Sequence, residues 1–262
     1  MLYQDLYFEK TQFFQMTLEP SGIEEISAGV DIGLGVREIN EKYTNFYTYI
    51  TDKILHFLEE RGSHFFNGES FKEFKSKIVK AQLERPIHSG RDKYFKFLKT
   101  IEKEIPQVPE IKHYRLGLRE VKKKIIFFNS QGELCETKRE YLRLIAVVVA
   151  EKDGILERGY EAKGYSLSLE RALELDPELY FLGKKASNLA LLMLSARKAK
   201  AGVMPVVLAG EAGGTMIHEA VGHGLEADDA EEGLSVYAGK IGEKVASPLI
   251  TVIDDPTLPN LY

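Results

Sequence analysis

The first fifty residues consist almost entirely of strand-forming segments separated by turn signals, and this run constrains the fold more than any other feature. Across residues 30–36 apolar side chains alternate with Asp or Gly, the period-two pattern of a strand buried on one face. Segments 2–9, 11–19 and 43–50 are rich in Tyr, Leu and Phe, and Pro-Ser-Gly at 20–22 marks a turn. The N-terminal region is therefore predicted to form an antiparallel meander.

Helical periodicity follows the meander. Apolar residues recur at helical spacing in three segments, at about 51–61, 69–83 and 92–104. Pro106 and Pro109 end this run. A second group of strands is expected from 111 to about 167, and helical periodicity returns from 168 to 200, where Asp176-Pro177 can restart a helix.

The order of these elements predicts an α+β fold, with antiparallel strands and packed helices in the N-terminal region. We expect a first segment at 1–105, a middle segment at 106–200, and the start of a second, mostly β domain at 201–262. In this last part the sequence predicts strands at 204–208 and 249–253, a loop at 209–214 and a helix at 215–222.

Composition narrows the classes of function. Of the 262 residues, 44% are hydrophobic and 29% are charged, a balance typical of a chain with a folded core. The net charge of -5 disfavours nucleic-acid binding, which usually needs a basic face, and the run Lys122-Lys123-Lys124 is too short to supply such a face.

No apolar run approaches the ~18 residues of a membrane span, and the N-terminus lacks the pattern of a signal peptide. Because Cys135 is the only cysteine, an internal disulfide is impossible and a reducing cytoplasm is the expected location.

The chemistry is concentrated in His218-Glu219-Ala220-Val221-Gly222-His223. Zinc favours imidazole nitrogen, and a carboxylate beside a ligand can take a proton from water and return it to a leaving amine. Zinc-peptidase helices with HExxH place both imidazoles on one face, but here three residues separate Glu219 from His223. On a regular helix the two rings would point ~140° apart. A shared metal therefore requires the helix to end, bulge or kink near Gly222, and Gly222 and Gly224 would allow this.

Several other residues have competing interpretations. The spacing of two histidines can arise by chance, and four further histidines (His56, His64, His88 and His113) are scattered like ordinary surface or core residues. Glu226 can be a third ligand, a partner that orients an imidazole, or a residue of the helix end. The acidic run at 228–232 is most simply a solvated loop, and Gly213-Gly214 serves either a turn or the approach of a substrate.

The segments around the motif resemble one family. GGTMIHEAVGHGLEAD resembles the central motif of the TldD/PmbA family, known as modulators of DNA gyrase and as metallopeptidases. GVMPVVLAGEAGG resembles the strand and loop before that helix, and YQDLYFEK with EEISAGVDIGLGVR resembles the opening of the first domain. The resemblance covers essentially the whole chain, and the histidine motif is similar to that of TldD-type subunits.

The resemblance implies a set of roles. His218 and His223 would be zinc ligands and Glu219 the catalytic base, with a cysteine far towards the C-terminus as the third ligand. Cys135 does not match that cysteine and is expected to be inert. Because family members are considerably longer, the resemblance implies that this chain is the N-terminal part of a subunit, inactive if it is truncated.

The resemblance also implies a function and a partner. The expected activity is that of a zinc metallopeptidase that hydrolyses unfolded or small polypeptides in the cytoplasm. The expected assembly is a heterodimer with a PmbA-like (TldE) subunit, or a homodimer. A non-catalytic subunit or interaction protein that lacks a complete metal site is the alternative hypothesis. A third, a DNA-binding regulator of gyrase, is disfavoured by the acidic charge balance.

Overall fold

The computed structural model describes residues 3–60, 62, 66, 68–84, 91–255 and 257. Among these residues the chain forms two compact units, one ending at Ala196 and one beginning at Arg197. The division predicted at residues 105 and 200 stays a prediction.

A six-stranded antiparallel sheet is the basis of the first unit. Its strands are β1 (Tyr3–Glu19), β2 (Gly22–Ile39), β3 (Thr44–Ile50), β4 (Ile111–Asn129), β5 (Leu134–Lys152) and β6 (Ile155–Tyr165). Their order is β3-β2-β1-β4-β5-β6, because β1 pairs with β2 on one side and with β4 on the other. The two predicted groups of strands are thus confirmed, and the structure joins them into one sheet. The segments 2–9 and 11–19, predicted separately, form the single strand β1 over the described residues.

Helices cover one face of this sheet. They are α1 (Asp52–Glu60), α2 (Glu69–Leu83), α3 (Arg91–Lys103), α4 (Leu169–Leu175) and α5 (Leu182–Met193), with a 3₁₀ turn at Pro177–Phe181. The α+β prediction is therefore confirmed, and α1 to α3 lie within about a turn of the predicted bounds.

The strand β2 is longer than the alternating segment at 30–36. It begins at Gly22, which has a φ of 118° and makes the turn from β1.

The long helical region predicted at 168–200 is interrupted and ends early. Ser168 caps α4 by accepting from the backbone N–H of Arg171, and Asp176 caps the 3₁₀ turn by accepting from the N–H of Glu178. Pro177 has no N–H to donate to the preceding turn, so α4 ends before it. The helix resumes as α5 and stops at Met193.

Most of the buried apolar residues of the sheet point towards the helices and form two separate cores. One core joins Leu6, Phe8 and Leu34 to α1 and α2. The other joins Met16, Leu118 and Leu144 to α3, α4 and α5. Because side chains on a strand alternate between faces, this arrangement leaves the odd-numbered positions of β1, β4 and β5 on the face away from the helices.

A buried lysine connects β1 to the end of α2. Lys10 is 2% exposed, and its ammonium group donates to the carbonyl oxygens of Ala81 and Glu84, both at 2.6 Å. The last carbonyls of a helix have no partner within the helix. The Ala81 carbonyl also accepts from the N–H of Glu84 at 3.3 Å, and Lys10 adds a second donor there and a donor to the carbonyl of Glu84. These two contacts compensate for the burial of the charged group.

A buried carboxylate ties three elements together in the second core. Glu120 on β4 is 2% exposed, accepts a hydrogen bond from the Tyr94 hydroxyl and accepts another from the backbone N–H of Leu169 at 3.3 Å. Burial of the hydroxyl raises the pKa of Tyr94, and the hydrogen bond to Glu120 raises it further. The phenol is therefore the proton donor of this contact at every ordinary pH.

Removal of the Tyr94 hydroxyl should destabilise the protein. We expect Tyr94→Phe to lower the free energy of unfolding by about 2 kcal/mol, because it deprives a buried carboxylate of a donor. Tyr114→Phe is the control, since the Tyr114 hydroxyl donates to the half-buried Glu102, which also pairs with Lys99. Urea unfolding of both variants measures the difference, and equal losses would contradict this account of Glu120.

The second unit is helical where it is regular. It contains α6 (Gly210–Ile217), a π-helical turn (His218–Gly222), a 3₁₀ turn (His223–Leu225) and α7 (Ala227–Glu231). The strands expected at 204–208 and 249–253 do not form, and the segment 209–214, expected to be a loop, is helical from Gly210 onward. A strand needs a neighbour to take its backbone hydrogen bonds, and residues 197–257, as far as they are described, offer none.

Among the described residues no helix is long and apolar enough to cross a membrane.

Candidate metal centre

The histidine motif lies where α6 changes its hydrogen-bonding pattern. At the end of α6 the N–H of His218 still donates to carbonyls of the preceding α-helical turn, those of Gly214 and Thr215. The N–H of His223 instead donates to the carbonyl of His218, five residues earlier. This is the pattern of a π-turn, which holds one extra residue. The predicted bulge between the two histidines is therefore confirmed.

The π-turn brings together side chains that a regular helix would separate. The imidazole centroids of His218 and His223 are 4.6 Å apart, with the ring planes at 67°. One donor atom each from His218, Glu219 and His223 lies within 4.8 Å of the others, and all three residues are exposed. The extra residue of HExxxH is thus absorbed by the backbone, and the three donors can face one ion.

The two glycines of this segment have different roles. Gly222 has a φ of -55°, which any residue adopts, so the bulge does not depend on its conformational freedom. At Gly224 a Cβ atom would lie 2.8 Å from the ring of Tyr237, which is closer than real Cβ contacts. Ser235 also donates to the carbonyl of Gly224. Gly224 therefore allows the segment around Tyr237 to pack against the end of the motif, a contact that no sequence pattern indicated.

Two carboxylates flank the His223 ring. The Nδ1 atom of His223 is 2.7 Å from Oε1 of Glu226, and its Nε2 atom is 3.7 Å from Oε2 of Glu219. The Glu226 carboxylate, with a smaller contribution from Glu219, raises the pKa of His223. Glu226 therefore occupies one ring nitrogen and leaves Nε2 turned towards Glu219. Three roles were open for Glu226, and the geometry favours the one in which its carboxylate orients the His223 imidazole.

Comparison with known proteins assigns the chain to a family. Residues 84–194 match the domain described as the PmbA/TldA metallopeptidase central domain, and residues 201–262 match the PmbA/TldA metallopeptidase C-terminal domain. The chain is 30% identical to the metalloprotease TldD homolog of Haemophilus influenzae, over 98% of this chain and 56% of that protein. This chain belongs to the TldD/PmbA family.

Further relatives support the assignment. A metalloprotease of Methanocaldococcus jannaschii is 29% identical over 99% of this chain and 59% of its own length. The chain thus spans a little over half the length of these relatives. The crystal structure of TldE from Thermococcus kodakarensis superimposes with a TM-score of 0.60 at 14% identity, covering 98% of this chain and 60% of that one, which shows a shared fold.

The donors of this TldD/PmbA chain suit zinc. Imidazole nitrogens are among the ligands that zinc takes in catalytic sites, at distances near 2.0–2.1 Å, and a carboxylate beside them can either bind the ion or accept a proton from its water. Atoms within 4.8 Å of one another can surround one ion after small side-chain rotations. Among the described residues no other group of three His, Cys, Asp or Glu side chains converges in this way.

The remaining predicted residues lie outside this group. Cys135 is exposed on β5 and is not among the converging donors. His56 pairs with Glu60, and His113 pairs with Glu19 on the sheet. His64 and His88 fall outside the described residues. Lys122, Lys123 and Lys124 are each paired with a glutamate.

Proposed function

We propose that this chain carries the histidine pair and the catalytic carboxylate of a zinc metallopeptidase that acts on unfolded or small polypeptides. The observation that supports the proposal is the π-turn, which brings donor atoms of His218, Glu219 and His223 within 4.8 Å of one another. The names of the relatives support the class of reaction, because proteins similar over nearly the whole chain are called metalloproteases.

Each residue would have a distinct role. His218 and His223 would hold the ion through imidazole nitrogens, and a bound zinc would polarise the scissile carbonyl and lower the pKa of water to about 7. Glu219, with its carboxylate 3.7 Å from His223 Nε2, would accept the proton of the attacking water and deliver it to the leaving amine. Glu226 would hold the His223 ring in orientation through Nδ1.

The resemblance also suggests the setting of this activity. As the family resemblance implies, we propose a cytoplasmic location and either a TldE-like partner subunit or a homodimer. A TldE shares the fold of this chain. We do not propose Cys135 as the third protein ligand, because it does not match the position of the cysteine that the resemblance implies. The alternative function, a non-catalytic subunit of the same family, predicts that the intact protein does not hold zinc at this site.

Metal analysis separates the two functions. We expect the purified intact protein to hold about one zinc per chain, as in catalytic sites, and His223→Ala to lose it. His113→Ala is the control, because His113 is also an exposed histidine beside a glutamate but lies on the sheet. Elemental analysis after dialysis reports the stoichiometry. Zinc that survives His223→Ala would overturn the proposal.

A second prediction concerns Glu226. We expect Glu226→Ala to weaken zinc affinity about 10- to 100-fold, because loss of a carboxylate that orients a metal-binding imidazole has effects of this size. Glu226→Gln should lose less, since an amide oxygen can still accept from Nδ1. Glu231→Ala, at an exposed acidic position of α7, should change nothing. Competition with a chelator measures the affinities, and unchanged binding in Glu226→Ala would remove this role.

A further inference from the structure

A groove of about 440 Å³ crosses the sheet on the face away from the helices. It runs over β1, β4, β5 and β6, with Gly117 and Ile145 paired near its centre. Gly117 presents no side chain, and the apolar Ile145 and Val147 are only partly covered. The groove therefore has a shallow apolar floor formed by strands of a single unit.

Two arginines lie side by side at one end of this floor. Arg119 on β4 is directly opposite Arg143 on β5, and both are exposed. Like charges at opposed positions on neighbouring strands destabilise a sheet. Among the described residues neither guanidinium pairs with a carboxylate, whereas Arg115, at the other end of the groove on β4, pairs with Glu24 at 2.9 Å. The pair Arg119 and Arg143 thus lacks a carboxylate partner of the kind that Arg115 has in Glu24.

The surroundings of the pair indicate which anion would supply that charge. Arg119 lies over the ring of Phe13, with its central carbon 5.7 Å from the centroid, which limits its orientations. A guanidinium presents a planar fork of donors that matches a carboxylate. Tyr160, 45% exposed at the edge of the groove, adds an aromatic surface beside the apolar floor. This combination suits carboxylates set among apolar side chains.

The charges around the groove favour a polypeptide over a nucleic acid. Glu24 pairs with Arg115 beside the groove, and Glu25 lies next to Gln15 on the same face. These carboxylates would repel a continuous phosphate backbone, which needs an extended basic surface. A peptide can place one or two carboxylates on the arginine pair and keep neutral residues near the glutamates.

We propose that this groove binds an acidic segment of an extended polypeptide, with Arg119 and Arg143 as its carboxylate-binding residues. The proposal does not rest on the peptidase activity, because every residue it uses lies on the sheet of the first unit. It predicts binding that weakens with salt, since exposed charges are screened over about 10 Å at 0.1 M ionic strength.

Fluorescence anisotropy with the intact protein tests the proposal. The probe is a fluorescein-labelled peptide that alternates Glu and Val, and the comparison is the same peptide with Gln in place of Glu. We expect the Glu peptide to bind at least about tenfold more tightly, and Arg143→Gln and Arg119→Gln each to weaken it about tenfold. Arg171→Gln is the control, because Arg171 is an exposed arginine on α4 and the charge change is the same.

Three results would overturn the proposal. One is equal binding of the Glu and Gln peptides, and another is full competition by free glutarate at the peptide's own concentration, which would mark a small dicarboxylate site. The third is tighter, Arg143-dependent binding of a single-stranded oligonucleotide. Unfolding of the variant should not account for weaker binding. Arg143→Gln removes a like-charge pair, so its melting temperature should be no lower than that of the wild type.

Discussion

Replacement of Glu219 by glutamine in the intact protein is expected to leave the zinc content unchanged and to reduce peptide hydrolysis at least about 100-fold. The amide has nearly the shape of the carboxylate, so the π-turn and the positions of His218 and His223 should persist. It cannot accept the proton of the attacking water at neutral pH. Cleavage of an unfolded polypeptide such as β-casein, measured beside zinc analysis, reports both properties.

The control for this prediction is Glu231→Gln, which makes the same chemical change at an exposed position of α7. It should retain both zinc and activity. Hydrolysis by Glu219→Gln at the wild-type rate would exclude Glu219 as the base. Loss of zinc together with activity would instead identify Glu219 as a metal ligand, in agreement with its place among the three converging donors.

Gly159→Ala is expected to produce the largest loss of stability. Gly159 lies on β6, directly under α5, and a Cβ atom there would lie 1.8 Å from the carbonyl oxygen of Ala186 and 2.7 Å from the backbone nitrogen of Ala190. Both atoms belong to helix backbone, so the whole helix must move away from the sheet. Overpacking of a core typically costs about 1–3 kcal/mol and can exceed this, and we expect about 3 kcal/mol or more here.

Gly164→Ala is the matched control for this effect. Gly164 is in the same strand, and its Cβ atom would meet only the carbonyl oxygen of Leu142 at 4.0 Å, an ordinary contact. The substitution should change the free energy of unfolding by less than about 1 kcal/mol. Thermal or urea unfolding compares the two variants, and similar stabilities would contradict the close packing of α5 on β6.

Much of the first unit was predictable because its patterns are local. The alternation at residues 30–36 determines which face of β2 is buried, and the apolar spacing at 69–83 determines the helix α2 within a residue. The position of β4 was not predictable. It pairs with β1 across more than ninety intervening residues, and no local pattern specifies which edge of an existing strand a later strand joins.

The metal centre was predictable in part for a similar reason. HExxxH cannot share a metal on a regular helix, so the sequence required a distortion, and the structure has a π-turn at that place. The assignment of the distortion to glycine freedom was wrong for Gly222, whose backbone is ordinary. The contact of Glu226 with His223 was one of several open interpretations, because side-chain rotamers near a helix end depend on surroundings that spacing does not describe.

The sequence by itself determined the α+β class, the period of most strands and helices, the family resemblance and the residues of the candidate metal site. These depend on interactions between residues near one another in the chain, which leave a periodic or motif-like pattern. Only the tertiary structure decided the single six-stranded sheet, the need for glycine at 159 and the opposition of Arg119 and Arg143. Each of these results from contacts between elements distant in sequence, and such contacts are set by strand pairing and helix packing that single-residue patterns do not record.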